Sequence, residues 1–116
     1  MTNINKIRIQ TGVLTRAMKD LASYEKEATQ LRNQVVKMVE EEKEQHDINM
    51  RQQCLEETTQ MIPESLKRIE KAYNELSTLV EGVSDDDADS RGSEIFSKAM
   101  DVLAEAQTIL TERQPN

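Results

Sequence analysis

Two long stretches of this chain place apolar residues at intervals of seven, a spacing that brings them to one face only in a helix. From Ile7 the interval gives Leu14, Leu21, Ala28 and Val35, and a second track three residues on gives Gln10, Ala17, Tyr24, Leu31 and Met38. Together they form a coiled-coil-like seam with Lys, Arg, Glu and Gln elsewhere. The seam predicts one amphipathic helix over about residues 5–42, on the order of 55 Å long at ~1.5 Å per residue. Gly12 falls inside it and weakens the first turns by about 1 kcal/mol relative to Ala, so fraying is expected before that point.

The second stretch runs Ile48, Leu55, Ile62, Ile69, Leu76 and Val83, flanked by Leu66, Tyr73 and Val80. It predicts a second helix over about 47–82, with the Asp47 carboxylate as N-cap. Only Lys43 to His46 remain between the two helices, and so short a link makes them antiparallel neighbours. Pro63 lies in mid-track, where it removes a hydrogen bond and presses on the carbonyl four residues earlier. The apolar interval continues in phase across it, which reads as a kink at Pro63. The alternative is a stop at Ile62 and a restart with Pro63 at the first helical position.

Gly82 is the expected C-cap, and residues 83–92 read as a polar, acidic turn. A third helix follows over about 93–112, with Ser93 as N-cap, Glu94 in the first turn and Pro115 past its end. Its apolar positions, Ile95, Phe96, Ala99, Met100, Val102, Leu103, Ala106, Ile109 and Leu110, make a stripe wide enough to touch two partners. The fold class expected is therefore all-α, an elongated antiparallel three-helix bundle forming a single domain over 1–116.

Leu, Ile, Val and Phe total 25 of 116 residues, close to the range of disordered acidic chains, so it is their spacing that argues for a fold. One cysteine, Cys54, rules out an intrachain disulfide and suits a reducing compartment. No stretch approaches the ~20 apolar residues of a membrane span, and the N-terminus lacks a signal-like apolar run. A cytoplasmic protein is expected.

The net charge of −7 argues against nucleic acid and anionic membranes as partners. Residues 1–39 nevertheless carry seven Lys/Arg against three Asp/Glu, while 40–58 carry two against seven and 82–116 three against eight. The first helix is basic and the rest is acidic or balanced.

Little here suggests chemistry. His46 is the sole histidine, and Lys43 stands where a helical di-iron site needs Glu, so no metal site is expected. Cys54 has no companion base and reads as a small, partly buried hydrophobe. No phosphate-cradling glycine loop is present, and no cofactor is expected. Met18, Met38, Met61 and Met100 lie on or beside the apolar tracks and read as core filling. Ser84 with Asp85 to Asp89 reads as a solvated turn.

Three local stretches carry a further signal: IRIQTGVLTRAMKDLASYEKEA (7–28), HDINMRQQCLEETTQMIPESLKRIEKAY (46–73), and the acidic turn before a short last helix. Together they resemble the tubulin-specific chaperone A family, also called tubulin folding cofactor A, over roughly residues 6–82. The TGV and YEKEA words and the MIP in the second helix are the most specific. This sequence departs from the family in the TTQ before MIP and in the acidity of 84–92.

The resemblance implies a three-helix bundle with a proline-kinked second helix. It further implies a cytoplasmic, microtubule-cytoskeleton-associated protein that takes β-tubulin after chaperonin release and holds it for assembly of the αβ heterodimer, without enzymatic activity. Matched to the family words, Lys19, Glu25, Lys26, Glu27, Arg68 and Glu70 are the candidate protein-binding residues. The competing account makes them solvated charges in pairs such as Glu64 with Arg68. Monomer and weak homodimer both remain open. A different function class, a self-associating helical adaptor without tubulin affinity, uses the same apolar tracks.

Overall fold

The structure, a computed structural model, describes residues 4–113. Every regular element among them is an α-helix: α1 Ile4–Glu40, α2 Gln45–Glu81, α3 Ala88–Arg91 and α4 Glu94–Glu112. Pro115 lies outside the described residues. The chain divides into two compact units, residues 1–18 with 66–116, and residues 19–65.

In the first unit the early turns of α1, the late turns of α2, and α4 share one core. Ile7, Leu14, Ile69, Leu76, Ala99 and Ala106 are fully enclosed, and Thr11, Met18, Ala72, Val80, Phe96 and Val102 nearly so. The Thr11 hydroxyl is satisfied inside its own helix, donating to the Ile7 carbonyl at 2.7 Å, which is how a polar residue joins this core. On α1 the deeply buried companion of the Ile7/Leu14 track is Thr11/Met18, whereas Gln10 and Ala17 are half-buried.

The second unit is a helix pair. Leu21, Ala28, Thr58 and Ser65 are its buried residues, and Tyr24, Leu31, Val35, Met38, Ile48, Leu55, Met61 and Ile62 are half-buried. Thr58 and Ser65, with Ala72 in the other unit, form a seven-residue track of small side chains. Across this pair the Arg51 guanidinium donates to Oε1 of Gln34.

The turn closing the pair has a specific geometry. Glu42 N donates to the Val39 carbonyl at 3.1 Å and Lys43 N to the Met38 carbonyl at 3.0 Å, with Glu42 at φ 55°. These paired bonds with a left-handed residue just past the helix end are a Schellman motif, built here on Glu in the position glycine usually takes.

Several expectations change. α2 begins at Gln45, so Asp47 sits in its first turn and is not the cap; the carboxylate still faces the positive helix end. α2 runs unbroken through Pro63 to Glu81, which removes the stop-and-restart alternative. Gly82 donates to the Thr78 carbonyl at 3.1 Å without the positive φ of a left-handed cap. The acidic 83–92 segment contains the helical turn α3, closed at Gly92. Cys54 is exposed, not partly buried, and Met100 is 47% exposed on α4. Ser93 caps α4 as expected, its Oγ accepting from Phe96 N at 3.2 Å, with Glu94 in the first turn.

Candidate protein-binding surfaces

Lys19, Glu25, Lys26 and Glu27 lie on the α1 portion of the second unit. Lys19, Lys26 and Glu27 are exposed and Glu25 is half-buried. Lys19 and Lys26 are seven residues apart and share a face two positions behind the buried Leu21 and Ala28. At about 100° per residue two positions make about 200°, so these two lysines stand on the side of α1 away from the buried Leu21 and Ala28.

Arg68 and Glu70 belong to the first unit and flank Ile69, which is fully buried. Successive residues turn by about 100° around a helix, so the two charges emerge on opposite flanks of the buried stripe. Among the described residues no ion pair joins Glu64 to Arg68. The six candidates thus divide between the units, four on α1 in the second and two on α2 in the first.

Apolar tracks did not single out the exposed hydrophobic side chains. Ile9, Val36, Val39 and Met50 are each more than half exposed. Val36 and Val39, three residues apart, share one face of α1, and their spacing was the available signal.

The acidic connector is organised around one cation. Nη1 of Arg91 donates to the Val83 carbonyl at 3.1 Å and lies 3.3 Å from Oδ1 of Asp85. Asp87 caps α3, its carboxylate accepting from Ser90 N at 3.1 Å. Hydrogen bonds from Ser90 hold the Asp87 carboxyl below its ordinary value of 3.8.

Among the described residues no group of three or more His, Cys, Asp or Glu is placed to hold a metal ion, and no helix is long and apolar enough to cross a membrane. His46 and Cys54 are both exposed.

Fold and surfaces together define a small all-helical protein whose candidate charges lie outside the buried helix stripes. The family described as Tubulin binding cofactor A matches residues 2–103. Tubulin-specific chaperone A of Homo sapiens is 38% identical over 82 residues, covering 71% of this chain and 76% of that one. Tubulin-folding cofactor A of Arabidopsis thaliana is 34% identical over 82 residues, covering 70% and 73%. The solved structure of human tubulin chaperone cofactor a superposes with a TM-score of 0.73 at 33% identity, over 90% of this chain and 98% of that one. Tubulin folding cofactor A from Arabidopsis thaliana gives 0.81 at 23% identity, over 91% and 96%, a likeness of fold. The chain belongs to the tubulin binding cofactor A family.

Proposed function

We propose that this chain binds β-tubulin folding intermediates after their release from the chaperonin and holds them for assembly of the αβ heterodimer. The observation that carries the reading is the family match over residues 2–103, which spans both groups of candidate contacts. The chain works in the cytoplasm, beside the microtubule cytoskeleton, as a monomer or weak homodimer without catalysis or cofactor. Its three long helices serve as an antiparallel bundle kinked at Pro63. Lys19, Glu25, Lys26 and Glu27 form one partner contact and Arg68 with Glu70 another.

The physical logic is that charged helix surfaces cover aggregation-prone surface on an incomplete partner and keep the complex dispersed. The excess of Lys/Arg over residues 1–39 also steers the approach of acidic surface on the client, so binding weakens as salt is raised.

The test is gel filtration of the chain mixed with β-tubulin freed from chaperonin, with the native αβ heterodimer alongside. Co-elution with free β-tubulin and not with the heterodimer is expected. No complex, with the chain eluting as a stable oligomer, overturns this reading in favour of a self-associating adaptor.

A further inference from the structure

In a chain of net charge −7, one groove carries the opposite sign. It lies within the first unit between α1 and α4, with Arg8 and Arg16 on one wall and Lys98 on the other. No Asp or Glu lines it. Arg8 donates to the neutral side chain of Asn5 at 2.6 Å, and among the described residues none of the three cations is in an ion pair. Three cations held unneutralised on one groove are the electrostatic pattern of an anion-binding surface.

The rest of the lining selects the kind of anion. Gly12 stands in the groove with nothing within 4 Å of where a Cβ would be, so a backbone can approach there. Ile9, 52% exposed, and half-buried Ile95 supply aliphatic contact. The Thr11 and Thr15 hydroxyls are both engaged by their own helix, donating to the Ile7 and Thr11 carbonyls at 2.7 and 2.8 Å. Anion recognition therefore falls to the three cations. No aromatic ring lines the groove for base stacking, which disfavours single-stranded nucleic acid.

We infer that this groove binds an extended acidic peptide segment of a partner protein, its carboxylates on Arg8, Arg16 and Lys98 and its aliphatic side chains against Ile9 and Ile95. Arg8 and Arg16 are eight residues apart, about 12 Å along a helix, which an extended chain spans in about four residues. The segment that fits carries acids at that interval. This site does not depend on the tubulin reading, because its test uses no tubulin.

The probe is a fluorescein-labelled peptide of three Glu-Leu-Gly-Glu repeats, with a Gln-for-Glu peptide as control, followed by fluorescence anisotropy. The Glu peptide binds and the Gln peptide binds at least about tenfold more weakly. Arg16→Gln combined with Lys98→Gln weakens the Glu peptide about tenfold, and Gly12→Leu blocks it by filling the groove, with helical circular dichroism retained in both. Arg32→Gln combined with Lys37→Gln removes the same charge outside the groove and leaves binding unchanged. Equal binding of the two peptides, equal weakening by the Arg32 and Lys37 pair, or tighter binding of a single-stranded oligonucleotide than of the peptide each overturns the proposal.

Discussion

The guanidinium carbon of Arg91 lies 5.3 Å from the centroid of the Phe96 ring, so the last residue of α3 stacks on a core aromatic of α4. The same side chain reaches back to the Val83 carbonyl and Asp85. One cation thus ties both ends of an acidic connector to the helix that follows.

Arg91→Ala is expected to destabilise the fold by about 1 kcal/mol, through loss of the ring contact and the carbonyl hydrogen bond. Arg91→Lys retains the charge but not the planar fork, and falls between wild type and Ala. Urea unfolding midpoints of the three proteins check the order.

Asp87 supplies a pH dependence. Its carboxyl is held below 3.8 in the folded chain, so its contribution is fully present above that value and is lost as pH falls through the folded-state pKa. Asp87→Asn keeps a capping oxygen and removes the charge. Wild type is expected to exceed Asp87→Asn in thermal midpoint at neutral pH, with the gap closing below pH 3.8.

Glu42 occupies the left-handed region at φ 55°, a conformation that strains a residue with a Cβ. Glu42→Gly relieves that strain in the Schellman turn and is expected to stabilise the chain by about 1 kcal/mol. Denaturant titration followed by helical circular dichroism reads the gain; an unchanged midpoint would show that the turn relaxes at no energetic cost.

Ser65 is 1% exposed and its hydroxyl has no hydrogen-bond partner. Removing an unsatisfied buried polar group relieves a desolvation penalty, so Ser65→Ala is expected to stabilise by about 1 kcal/mol. Ser65→Val adds bulk to a seam of small residues and is expected to be less stable than Ala. Paired unfolding curves separate the two effects.

Where residues were strongly apolar, burial was legible from spacing. Ile7, Leu14, Leu21, Ala28 and Val35 share one heptad track, and the first four are buried while Val35 is half-buried. Ser93 at the start of α4 was equally legible, because a cap depends on local chemistry three residues deep. The Thr58, Ser65 and Ala72 track was not, since such small side chains contribute little apolar contrast. Asp47 was misplaced as a cap because helix ends shift by a residue or two with backbone bonds that side-chain patterns do not encode.

The candidate contacts were legible as charged residues off the buried tracks and not as surfaces. The groove holding Arg8, Arg16 and Lys98 was invisible, since it joins residues more than eighty positions apart.

The sequence by itself determined that this chain is helical, roughly where its helices begin and end, and which family words it carries, because helix formation and capping act over three to seven residues. The tertiary structure alone decided which polar residues are enclosed, that Thr11 and Met18 form the deep companion track, and that Arg91 covers Phe96. Those outcomes depend on which helix packs against which face, and burial is a property of the neighbours a residue acquires and not of the residue itself.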